Sequence, residues 1–150
     1  MLIINSSYAT RNPFWVLAEW ITCLALGGIL FLAGIPKIIN PSGFANLVEQ
    51  YDLLPKLLVN PAAIFLPWLE ITCAAALIAL PSSRRGALWF AIFLIVIFSL
   101  AMTITMFRGI PVSCGCFTVE PTSKPDDWRA LLRNAGILAF AFLGLRATRA

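Results

Sequence analysis

Three long stretches of the chain carry apolar side chains with no polar face, and they set the architecture. Phe14 to Ile35 is 22 residues long and holds one charge, Glu19. Pro61 to Leu80 is broken only by Glu70, and Gly86 to Phe107 holds no charge. At about 1.5 Å of rise per residue each run crosses the roughly 30 Å apolar slab of a bilayer, whereas a helix at a water interface would show a one-sided stripe. The pattern predicts membrane-spanning α-helices over about 14–35, 61–80 and 86–107. The link Pro81-Ser82-Ser83-Arg84-Arg85 is short enough to force the second and third spans into an antiparallel hairpin. The first span lacks the short apolar core and small-residue cleavage site of a secretory signal, which predicts a retained anchor.

A fourth span is shorter. The uncharged stretch Asn134 to Leu145 covers only about 18 Å at helical rise. A full crossing over about 128–147 requires Arg129 and Arg133, one turn apart, to reach the headgroups or face the bundle; the alternative is an interfacial helix. Between the first two spans, Phe44, Leu47, Val48 and Tyr51 recur at helical spacing opposite Asn46, Glu49, Gln50 and Asp52. This predicts a short amphipathic helix over about 42–54, with Ser42 capping its start and Pro55 marking its end. It would lie in the membrane surface or pack as a lid on the bundle mouth. The expected fold is all-α: one integral membrane domain over 1–150, a four-helix bundle with an interfacial helix.

Composition agrees with that solvent. Of 150 residues 60% are apolar and 12% charged, against about 25% charged in soluble domains. The net charge of +4 is small, and no basic run interleaves with aromatics, which argues against nucleic acid. The absence of histidine removes bis-histidine haem, most zinc sites and imidazole catalysis, so neither haem nor metal is expected. Arg11, Arg84, Arg85, Arg146 and Arg149 fall on one side in very short segments. Lys37, Lys56, Arg108, Lys124, Arg129 and Arg133 fall on the other among five carboxylates. The denser side is expected to be cytoplasmic, which puts both termini inside and the loop after the third span outside.

That loop carries Cys114-Gly115-Cys116, after Arg108-Gly109-Ile110-Pro111. A disulfide closing across one residue is strained and easily reduced, so the pair suits exchange better than stapling. Three readings stand: a dithiol that cycles between reduced and bridged forms with Arg108 favouring the thiolate, two small residues in a tight turn, or a metal site. The last falls short of the four ligands zinc usually takes. Cys23 and Cys73, expected at similar depth in their spans, read as packing residues. Glu70, near mid-membrane in Leu66-Pro67-Trp68-Leu69-Glu70, is a functional candidate because an ionisable group there is expensive. It can donate a hydrogen bond while protonated, relay a proton to a quinone, pair with Lys37, Arg108 or Arg133, or serve only as an interhelical hydrogen bond. Glu19, nearer the cytoplasmic end, is expected to snorkel to water.

The chain resembles the MauE family of methylamine-utilisation membrane proteins, related to the wider DoxX group. The resemblance rests on Phe31 to Lys37, Tyr51-Asp52-Leu53-Leu54-Pro55, Leu66 to Glu70, Arg108-Gly109 followed by Cys114-Gly115-Cys116-Phe117, and Arg133-Asn134. In that family the cysteine motif usually continues with glycine, where this chain has Thr118. The resemblance implies a bundle similar to membrane thiol oxidoreductases of the bacterial inner membrane, working with a thioredoxin-like partner on disulfides of exported proteins. The leading expectation is a thiol-disulfide relay through Cys114 and Cys116 that exchanges electrons with quinone, bound near Glu70, Trp68, Lys37, Arg108 and Arg133. Two alternatives remain: a non-catalytic subunit of a larger membrane complex, packed through Gly27, Gly28, Gly34 and Ala74 to Ala76, or a DoxD-like oxidoreductase of sulfur compounds and quinone.

Overall fold

Four of the five helices in the computed structural model, which describes residues 12–110 and 128–149, are long and apolar enough to cross a membrane. They are α1 (Pro13–Ile39), α3 (Lys56–Ala79), α4 (Arg84–Phe107) and α5 (Trp128–Ala147), with the short α2 (Pro41–Gln50) between the first two spans. The chain is thus an all-α multi-pass membrane protein. Its bundle is apolar on the outside as well as within: Phe14, Phe65, Phe93 and Phe107 are all more than half exposed, as a hydrocarbon solvent permits.

Three element ends differ from those read in the sequence. α1 continues through Pro36 to Ile39, and α3 begins at Lys56, five residues before Pro61. Burial explains the early start, because Ala63 of the first turns packs on Phe44 and Leu47 of α2 and outweighs the lost proline hydrogen bond. α2 stops at Gln50, and Asp52 takes a positive φ of 49°, a conformation that aspartate tolerates in turns. The cap of α2 is Asn40 rather than Ser42: its side chain accepts from the Gly43 N–H at 2.9 Å, with Pro41 at the first helical position. α4 ends in a Schellman motif, in which Gly109 (φ 69°) donates to Met106 and Ile110 donates to Thr105.

The α1–α3 contact is the most extensive in the bundle. A Cβ on Gly27 would stand 2.7 Å from Ile78 Cγ1, and one on Gly34 would stand 2.9 Å from Ile71 Cδ1. These glycines bring two backbones of the same chain together, so the small-residue stripe is used internally; only Gly28 of the three faces open space. The antiparallel register ends α1 near the level of Ile64, so the first turns of α3 project beyond it. α2 folds back against them. On the same register Cys23 and Cys73 lie roughly 10 Å apart along the axes, not at the similar depth the sequence suggested. Both thiols are free and buried in one core cluster with Leu26, Leu77, Leu88 and Ala141, and Cys73 Sγ donates to the Ala87 carbonyl at 3.3 Å.

Candidate functional site

A charge that enters a bilayer needs a partner, since isolating it costs several kcal/mol, and two such pairs are seen inside the bundle among the described residues. Lys37, two residues before the end of α1, is 3% exposed and reaches Glu70 on α3, which is 2% exposed. Its Nζ donates to Oε1 at 2.6 Å and Oε2 at 2.8 Å. The same ammonium lies 5.1 Å from the ring centre of Phe44 on α2 and 5.0 Å from that of Phe98 on α4. Four helices therefore converge on one cation, and aromatic faces supply the attraction that water would have given.

Two spaces adjoin this centre. One is a cavity of about 50 Å³ at the junction of α1, α3, α4 and α5, lined by Lys37, Glu70, Phe98, Arg133 and Asn134 among apolar neighbours. It has room for a few waters. The other is a groove of about 440 Å³ between α2, Leu66 of α3 and the C-terminal half of α4, walled by Leu47, Val48, Tyr51, Leu100, Ala101 and Ile104. Phe98 lines both spaces, and Phe44 lines the groove while touching Lys37, so the two rings form the partition.

Of the residues singled out in the sequence, Lys37, Glu70 and Arg133 share the cavity. Arg108 does not join them. It lies ten residues, about 15 Å, beyond Phe98 and clasps Asp52 instead, through Nη2 to Oδ2 at 2.7 Å and Nη1 to the Asp52 carbonyl at 3.0 Å. This tie fixes the exit of α2 to the end of α4, at the end of the groove away from Phe98. Trp68 points away from Glu70, 200° round the same helix at 100° per residue, and is 56% exposed toward lipid. Asn134, at the start of the uncharged part of α5, donates to Ser99 Oγ on α4 at 3.1 Å. That bond sets α4 and α5 antiparallel with Trp128 near the end of α4. Cys114 and Cys116 lie outside the described residues; the segment that carries them leaves α4 after Ile110 and returns at Trp128, at the end where Arg108 holds Asp52.

The second buried pair was not foreseen. Arg84, read as a loop residue, is 1% exposed, and Glu19, expected to snorkel, is 2% exposed; Nη1 lies 3.3 Å from Oε1. The guanidinium also stacks 3.6 Å from the centre of Trp20, and Nε donates to the Leu77 carbonyl at 3.3 Å. The 3-10 turn Pro81–Ser83 places Arg84 at the first position of α4, turned inward. A turn-rich link ending in two arginines offers no sign of which one is buried.

Four apolar spans closed by one buried ion pair toward each end define a polytopic α-helical membrane protein with an ionisable centre inside its bundle. The chain belongs to the MauE family: the family model described as "Methylamine utilisation protein MauE" matches residues 16–147. It is 43% identical over 96 residues to the "Methylamine utilization protein MauE" of Methylophilus methylotrophus, covering 63% of this chain and 50% of that one. It is 36% identical over 115 residues to the protein of that name in Methylorubrum extorquens, covering 76% and 61%, and 29% identical over 123 residues to that of Paracoccus denitrificans, covering 81% and 65%. The matched region thus spans about half to two thirds of these relatives' length. No solved structure matches the chain.

Proposed function

We propose that the chain is a membrane thiol-disulfide relay that links the Cys114 and Cys116 pair to a lipid-soluble quinone and to a thioredoxin-like partner serving exported proteins. The observation that carries this reading is the Lys37–Glu70 pair, held within the bundle behind Phe44 and Phe98 at the inner end of an apolar groove. A quinone fits the groove rather than the cavity, because about 440 Å³ is in the range of ligand clefts and about 50 Å³ is not. Leu100, Ala101 and Ile104 would border the tail and the Phe44 and Phe98 rings the head. When bound, the quinone supplies the sink for the two electrons and two protons released as the cysteine pair closes one S–S bond.

The chain's own groups do the rest. Lys37 and Glu70 lie on the cavity side of the Phe44 and Phe98 partition, so a turn of those rings would let Lys37 donate to a carbonyl oxygen and Glu70 accept a hydroxyl proton, with Arg133 lining the same cavity. Thiolate exchange with a partner's dithiol returns Cys114 and Cys116 to thiols and leaves the partner bridged; the reverse sequence reduces the partner. The name its relatives carry supports a setting in methylamine utilisation. The concentration of Arg84, Arg85, Arg146 and Arg149 at one end supports cytoplasmic termini in a bacterial inner membrane, with the cysteine segment outside.

The test is the redox state of Cys114 and Cys116, trapped with a maleimide tag in membranes with and without quinone. The pair is expected to accumulate as thiols when quinone is depleted, and Cys116→Ser is expected to hold a partner in a mixed disulfide through Cys114. A pair whose state never changes, with no trapped partner, overturns the relay.

A further inference from the structure

At the opposite end of the bundle a second groove, about 430 Å³ in volume, runs between α4 and α5. Trp89, Phe142 and Leu143 give it apolar walls, and Arg146 and Arg149 line it too. Phe142 and Arg146, four residues apart, share one face of α5, and Arg149 follows in the turn after the helix, so the groove carries apolar contact and then positive charge in the order of increasing distance from the membrane centre. Neither arginine forms a side-chain ion pair among the described residues. The described carboxylates do not compensate them. Glu49, Asp52 and Glu70 belong to the other half of the bundle, and Glu19 is buried against Arg84.

We infer that this groove is a binding site for an anionic phospholipid, one acyl chain lying along Trp89, Phe142 and Leu143 and the phosphate headgroup held by Arg146 and Arg149. Charge complementarity selects this occupant. Two guanidiniums above an apolar cleft match a phosphodiester joined to a hydrocarbon chain, and guanidinium takes phosphate oxygens through paired N–H donors. The indole of Trp89 lies six residues into α4, where amphipathic rings settle at the headgroup boundary. Lipid held here would add to the α4–α5 packing of Leu88 and Ala91 on Ala141 and Leu145, with the Asn134–Ser99 hydrogen bond lying toward the opposite end.

The site can be tested on the full chain in detergent by native mass spectrometry with added phosphatidylglycerol or phosphatidylcholine. Wild-type protein is expected to retain phosphatidylglycerol preferentially. Arg146→Gln with Arg149→Gln is expected to weaken retention roughly 25-fold, about fivefold for each charge at about 1 kcal/mol per cation near an anionic surface. Arg146→Lys with Arg149→Lys is expected to keep part of the preference. Arg85→Gln, at the same end but outside the groove, is expected to change retention little; its melting curve and those of the other variants check that all are folded. Equal retention of both lipids by wild type, or a loss in Arg85→Gln as large as in the variant carrying both Arg146→Gln and Arg149→Gln, would overturn the site and leave only diffuse surface charge.

Discussion

Lys37 holds both carboxylate oxygens of Glu70, at 2.6 and 2.8 Å, across the interface at which two glycines bring α1 and α3 together. Removing either partner strands a charge in the apolar interior. Lys37→Met and Glu70→Leu alone are each expected to destabilise the protein by about 3–5 kcal/mol, whereas the double variant recovers most of that loss. Unfolding in mixed detergent micelles measures stability, and maleimide trapping measures exchange at Cys114 and Cys116. A double variant that is stable but redox-silent separates function from architecture; one that is stable and active removes the pair from the relay.

Arg84 tests whether charge alone suffices at the other pair. Its guanidinium satisfies three demands at once, the Glu19 carboxylate, the Leu77 carbonyl and the face of Trp20. A lysine ammonium is a point charge and reproduces neither the stacking nor the fork. Arg84→Lys is expected to cost about 1–3 kcal/mol, and Trp20→Leu about 1–2 kcal/mol through the lost cation–π contact. Stability unchanged in Arg84→Lys would mean that the plane of the guanidinium contributes nothing.

These pairs also mark where reading the sequence succeeds. Unbroken apolar runs reveal spans because a bilayer demands length before anything else, and Glu70 stood out because nothing around it was polar. Its partner was narrowed to three cations; the choice of Lys37 depends on the α1–α3 register, which Gly27 and Gly34 set by close approach rather than by any pattern of hydropathy. The early start of α3 was hidden because Pro61 read as the start of the span until α2 is seen packing over the first turns. Arg84 was illegible for a related reason: its burial follows from a 3-10 turn that rotates it inward, and its neighbour Arg85 has the same chemistry and faces out.

The glycine contacts make a graded prediction. A methyl group at Gly34 would press into Ile71 and the Pro67 carbonyl, and one at Gly27 into Ile78 and the Ala74 carbonyl. Gly34→Ala and Gly27→Ala are expected to destabilise by about 1–3 kcal/mol through overpacking. Gly28→Ala meets open space and is expected to stabilise α1 by about 0.5–1 kcal/mol. Unfolding of the three variants side by side checks the order, and equal effects at all three positions would contradict the packing of α1 on α3.

Filling the groove isolates its role from that of the buried pair. Ala101 lines the groove on α4 one turn beyond Phe98, with its side chain toward α2 and no contact with Lys37 or Glu70. Ala101→Trp would occupy the space beside Leu100 and Ile104 and leave the ion pair and the Arg108 clasp untouched. Rates of cysteine-pair oxidation after addition of a short-tailed quinone are expected to fall about tenfold or more, a loss of at least about 1.4 kcal/mol of binding, while the melting temperature stays within a few degrees of wild type. A rate that holds steady with the groove filled would mean that electrons reach the cysteines by a route that does not pass Phe98, and the ionisable centre would then be left with a structural task alone.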